Sequence, residues 1–188
     1  MTSILKADNI QDADGNNIIN ESSNTITIGA SGDTTNIIGT LQNDGVAVAN
    51  TPAFSVFLGS TQTLTTNTWT KLNLDNEIYD TNNAFASYKF TVPSGEGGKY
   101  LFVYSLGTSS LTSSTHGAIR LYKNGSAVDG SFTRSYPNQT TGAYPDKSMV
   151  LSLAAADYIE LYGQHNKGSD ATVSTSDTFL SGHKLIGV

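Results

Sequence analysis

Gly98-Lys-Tyr100-Leu-Phe102-Val-Tyr104-Ser-Leu106 is the stretch that decides how the rest of this chain is read. Side chains of a strand alternate between faces, so Tyr100, Phe102, Tyr104 and Leu106 fall on one side, Leu101 and Val103 on the other. A strand that is apolar on both faces needs cover on both, which predicts a central position in a sheet.

Outward from this strand the alternation recurs. Phe54, Val56 and Leu58 share a face, and so do Leu72 and Leu74. Ile119 and Leu121 lead into Lys123-Asn-Gly-Ser126, where Asn-Gly supplies the positive φ angles of a tight hairpin. Met149, Leu151 and Leu153 follow, then Ile159 and Leu161, and last the segment 179–188. Ala154-Ala-Ala156 could suggest a helix, but its flanks are short and β-branched or aromatic, which predicts a turn. Roughly eight to ten strands at this turn spacing predict an all-β fold, an antiparallel sandwich or jelly roll over residues 51–188.

The composition points the same way. Charged residues are only 14%, too few for long surface helices, while Gly numbers 18, Tyr 9 and Phe 7. Cysteine is absent, which rules out disulfides and thiolate metal sites and leaves packing to hold the head. No window approaches the roughly 20 apolar residues of a membrane span, and the amino terminus lacks a signal-peptide core. The expectation is a chain made in a cytosol, so Asn-x-Ser/Thr triplets at Asn20, Asn124 and Asn138 are read as chance.

Residues 1–50 differ from the rest. They contain no aromatic residue and set one base, Lys6, against Asp8, Asp12, Asp14, Glu21, Asp33 and Asp44. Most of the chain's net −6 therefore lies here. With no basic patch to neutralise phosphates, nucleic acid is not expected as a ligand. Short runs, Asn17-Ile-Ile19, Thr25-Ile-Thr-Ile28 and Asn36-Ile-Ile38, recur between turn residues, as an extended, turn-rich stem would have them. Such a segment cannot close a core alone. Three parallel copies would bury Ile18, Ile19, Ile26, Ile28, Ile37 and Ile38 together, leaving Asn, Thr and Asp outside.

The central stretch resembles a known family. Gly98-Lys-Tyr100-Leu-Phe102-Val-Tyr104 is similar to the Gly-x-Tyr-x-Phe-x-aromatic core of the globular heads of complement component C-one-q, a jelly roll shared with tumour necrosis factor. Asp80, Phe85 and Phe90-Thr-Val-Pro93 resemble the strand-turn-strand before that core; Val150–Leu153 and Asp157–Leu161 resemble its paired strands around a Gly-Asp turn. Phe179–Gly182 through Leu185-Ile186 resembles its closing strand. Departures are specific. Leu74 stands where a Phe is usual, Phe85 to Phe90 is two residues short, Phe90 to Gly98 is two long, and Ala156 replaces the turn glycine. The resemblance spans about residues 52–188 and implies a homotrimer. The stem openings Leu5–Ile10 and Ile19–Ile28 resemble those of tailed-phage virion appendage proteins, especially marine ones.

Catalytic chemistry finds no constellation. His116, His165 and His183 are far apart in sequence, and no His-Glu-x-x-His, Gly-x-Ser-x-Gly or phosphate-cradling loop occurs. Asp12-Ala-Asp14-Gly-Asn16 spaces oxygen ligands like a calcium loop, yet Asn17 and Ser23 stand where the glycine and bidentate Glu belong, so it reads as a turn. No metal or cofactor is expected. The loop 131–144 is the binding candidate: Phe132, Arg134, Tyr136, Asn138 and Tyr144 suit contact with a protein or glycan surface, and equally suit packing beneath a loop. The expectation is a non-enzymatic virion protein, a fibre, spike or decoration appendage. Its stem (1–50) attaches to other virion proteins or trimerises, and its trimeric head (51–188) projects toward a host protein or glycan. The alternative is a soluble cellular binding module of the complement-head type.

Overall fold

The structure is a computed structural model that describes residues 9–11, 13, 17–22, 25–28, 31–32, 34–38, 41–43, 46–47, 49–137 and 141–186. The chain divides into two compact units, Met1–Val48 and Ala49–Val188.

In the first unit β1 (Asn9–Gln11), β2 (Asn17–Ser22) and β3 (Thr25–Ile28) form an antiparallel sheet. Its register sets Ile10 opposite Ile19, and Ile19 opposite Ile28. β4 (Gln42–Asn43) and β5 (Val46–Ala47) make a short pair. Asn36-Ile-Ile38 forms no strand, because no ladder partner accompanies the repeated tripeptide. Ile28, Ile37 and Ile38 are exposed in the single chain, Ile38 at 95%. The side chains of Ile18, Ile19 and Ile26 lie outside the described residues, as do Asp12 and Asp14.

The second unit opens with β6 (Ala53–Phe57), β7 (Gln62–Leu64), β8 (Thr70–Lys71), β9 (Asn76–Asp80), β10 (Phe85–Ala86) and β11 (Lys89–Thr91). The deciding stretch forms β12 (Gly98–Ser105), followed by β13 (Thr108–Leu111), β14 (Gly117–Lys123), β15 (Ser126–Ala127) and β16 (Thr133–Ser135). β17 (Thr141–Ala143), β18 (Asp146–Leu153), β19 (Tyr158–His165), β20 (Ala171–Val173) and β21 (Phe179–Lys184) complete it. A five-stranded sheet runs β18-β12-β21-β6-β9; a seven-stranded one runs β10-β11-β19-β14-β15, with β16 on β14 and β8 on β19. Every pairing is antiparallel.

A third sheet, β17-β13-β20-β7, repeats the order of the first. Each of its strands is the chain neighbour of one strand of the five-stranded sheet: β7 follows β6, β13 follows β12, β17 precedes β18 and β20 precedes β21. One bent sheet thus reads as two. The break falls at Gly107, where an added Cβ would lie 2.6 Å from Asp177 Cβ. Breaks of this kind make the strands shorter and more numerous than the turn spacing predicts.

The core between the sheets is aromatic. Phe54 stacks on Phe90 at 4.7 Å, and Phe102 lies 6.1 Å from Phe90 and 6.2 Å from Tyr100. Phe54, Val56, Leu58, Leu72, Leu74, Tyr100, Phe102, Tyr104 and Leu106 are all buried, as their alternation predicts. β12 is flanked by β18 and β21, so the central position is correct. The Asn124-Gly125 hairpin has φ of 52° and 78°, the two left-handed residues that its sequence calls for. Ala154–Ala156 is a turn, with Ala156 at φ 70° where the resemblance places a glycine.

Candidate functional site

Two sheet faces point away from the core, and their chemistries are opposite. On the five-stranded sheet, register aligns Val150, Leu101, His183 and Ala53 in one row, and Ser148, Val103, Ser181, Ser55 and Tyr79 in the next. Phe179 and Phe57 pair in the row after that. The first two rows carry no Lys, Arg, Asp or Glu, and the third has Asp146 at its β18 end. Val103 is 39% exposed and Val150 49%, while Leu101, Phe57 and Phe179 are half-buried. A groove of about 520 Å³ lined by Phe57, Ile78, Phe179 and Ser181 opens on this face. This is the second apolar side of β12, and the described residues of the second unit leave it uncovered.

The seven-stranded sheet turns cations and aromatic rings outward. Arg120 on β14 stands between Tyr162 on β19 and the start of β16, and its guanidinium lies 4.7 Å from the Trp69 ring and 5.8 Å from that of Phe132. Trp69 and Phe132 meet edge to face at 6.2 Å. Arg134, opposite Ala118, lies over the Tyr136 ring at 5.5 Å, and Tyr136 is 5.4 Å from the His116 ring. Tyr122 and Tyr162 stack at 3.9 Å, and Lys71 pairs with Glu160 at 2.7 Å. Burial pushes the His116 imidazole below the usual histidine range against a hydrogen bond with Gln164, and Arg134 and His165 push it the same way. Two buried nitrogens here, His116 Nδ1 and Arg120 Nε, have no hydrogen-bond partner among the described residues.

Of the loop residues singled out from sequence, Phe132, Arg134 and Tyr136 join this face. Tyr144, 52% exposed, follows β17 on the bent sheet, and no ring contact or hydrogen bond among the described residues links it to the other three. Asn138 lies outside the described residues. Sequence reading missed Trp69 and Arg120. The chain's single Trp, beside a strand whose outward positions are Ala118, Arg120 and Tyr122, was the available signal.

The histidines do not converge. His165 is fully buried; Lys167 N–H donates to its Nδ1 at 3.2 Å, so Nε2 carries the proton and donates to the Leu64 carbonyl at 2.8 Å. His183 lies on the other sheet, opposite Leu101 and Ala53. Among the described residues no group of three or more His, Cys, Asp or Glu comes together.

No protein family and no curated protein matches the chain by sequence. Solved structures do match. The globular domain of zebrafish complement 1qA protein is 17% identical, with a TM-score of 0.51 over 71% of this chain and 97% of that one. Murine APRIL is 15% identical, with a TM-score of 0.49 over 71% and 98%. The head is a jelly roll of the complement 1q type. The likeness is one of fold, and within this jelly roll the five-stranded sheet supplies the apolar outer face and the seven-stranded sheet the aromatic, cationic one.

Proposed function

We propose that this chain is a structural appendage of a tailed-phage virion. Three copies associate through their heads, the stem attaches to other virion proteins, and the head projects toward a host protein or glycan. The observation that carries the association is the apolar outer face around Leu101, Val103, Val150, Phe57 and Phe179. A patch of this kind, with charge only at its edge, marks a surface that a partner covers. A second copy is the partner whose chemistry matches, since closed symmetry lets one patch serve every subunit. The number three and the virion rest on the resemblances read from the sequence, of the head to the C-one-q and tumour necrosis factor heads and of the stem to phage appendages. Nothing in this role requires catalysis.

Sedimentation at micromolar protein tests the association. The expected species is a trimer, and Val103→Glu with Val150→Glu yields a folded monomer, because carboxylates at these positions would be desolvated on assembly. A wild-type monomer overturns the reading.

A further inference from the structure

We propose that the outer face of the seven-stranded sheet, centred on Arg120, Trp69 and Phe132, binds the carboxylate of an acidic polysaccharide. This deepens the reading of the head as the contact-making part, and it stands apart from both the trimer and the virion.

The chain carries 16 acidic residues against 10 basic ones, so carboxylates are plentiful. Lys71, Lys123 and Lys184 each take one, at 2.7, 2.7 and 2.9 Å. The only two arginines, Arg120 and Arg134, lie on this one face, and neither is in an ion pair among the described residues. Aromatic rings hold them instead: Trp69 and Phe132 for Arg120, Tyr136 for Arg134.

A ring contact uses the flat face of a guanidinium and leaves its in-plane N–H donors unspent. That is the arrangement that receives a carboxylate through two parallel hydrogen bonds. Arg120 Nε is buried and unpartnered, and so is His116 Nδ1, next to the Tyr136 ring that carries Arg134. Both nitrogens are enclosed by protein, so the donors left for a carboxylate are the terminal guanidinium N–H groups of Arg120 and Arg134.

The rings then select a sugar among anions. Phe132 is 40% exposed and Tyr136 49%, presenting flat surfaces beside the guanidiniums. The C–H groups on one side of a pyranose carry small positive charge and rest against the negative face of a ring. Polyphosphate fits less well, since two arginines on a chain of net −6 provide no basic track for a phosphate backbone.

The test uses the full chain against immobilised polygalacturonate, alginate and polysialic acid, with a neutral galactan as control. The expected result is saturable, salt-sensitive retention on at least one carboxylated polymer and none on galactan. Arg120→Lys keeps the charge and loses the planar fork, and should weaken retention roughly tenfold. Phe132→Ala, an exposed position that folding tolerates, should weaken it as well and carries the test should Arg120→Lys fail to fold. Circular dichroism and sedimentation of the same samples separate loss of site from loss of fold. Retention on none of the three polymers overturns the proposal. So does retention unchanged in the foldable variants, or capture of a single-stranded oligonucleotide with equal strength and the same Arg120 dependence. A chain that binds these polymers as a monomer would overturn the self-association reading and uphold this one.

Discussion

Phe102 meets Phe54, Phe90 and Tyr100 at 6.3, 6.1 and 6.2 Å, and faces Gly182, where an added Cβ would come within 2.9 Å of its ring. With the glycine pressed so close, little can move in to fill space, so Phe102→Ala should cost about 3–5 kcal/mol by chemical denaturation at fixed protein concentration. Asp157 is the residue where pH acts. Lys123 at 2.7 Å, then Asn124 Nδ2 at 2.7 Å and Ala154 N–H at 2.8 Å, hold its carboxyl down from 3.8 to about 2. A depressed carboxylate contributes stability that is complete above the unfolded pKa and lost as pH falls through the folded one. Denaturation curves from pH 5 to 2 should therefore show a loss that Asp157→Asn flattens. The apolar alternation that buries Phe102 is visible in sequence, because strand period alone sets it. The partners of the tyrosine hydroxyls are not. Tyr100 donates to the Glu96 carbonyl at 2.6 Å and Tyr104 to that of Ser131 at 2.7 Å, and only the folded loops bring those acceptors in.

The β10–β11 hairpin shows what a departure in spacing does to an element. Phe85 pairs with Phe90 and Ala86 with Lys89, so two residues, Ser87 and Tyr88, must make the whole turn. Both are left-handed, at φ 52° and 61°, a conformation that costs an L-residue roughly 1–2 kcal/mol. The shortened interval noted in the sequence is thus accommodated as backbone strain, held by Asp80 accepting from Phe85 N–H at 2.7 Å and by Lys71 donating to the Ser87 carbonyl at 2.9 Å. Replacing Ser87-Tyr88 by Asn-Gly, the pair already used at Asn124-Gly125, should raise stability by about 1 kcal/mol or more in thermal or denaturant unfolding. Elements with regular alternation were legible. The bend that separates the five-stranded sheet from the four-stranded one was not, because Gly107 reads as an ordinary glycine until Asp177 is beside it. The Trp69–Arg120–Phe132 cluster stayed hidden for a related reason: its members come from beside β8, from β14 and from beside β16, and only cross-strand register brings them together.

At the scale of the molecule, the head's two outward faces lie on opposite sides of one core. Covering the apolar face by self-association leaves the aromatic, cationic face turned outward, so assembly and contact do not compete for surface. The head also holds its own core, with Phe54, Phe90, Tyr100 and Phe102 all supplied from within Ala49–Val188. Residues 51–188 should therefore fold and associate without the stem, as sedimentation and circular dichroism of the truncated chain would show. The stem has a different character. It sets one base against six acids, and Ile28, Ile37 and Ile38 are exposed in the single chain. Three such stems side by side gain apolar cover but repel one another electrostatically, and a basic socket on a particle protein would offset that repulsion. Attachment through the stem should then weaken as salt rises, over the range in which the Debye length falls from about 10 to 3 Å. The decisive measurement is incorporation into particles. Deleting residues 1–50 should abolish it while leaving the head folded and trimeric. If the truncated head attaches with undiminished affinity, the head is the anchor and the division of labour proposed for this chain is wrong.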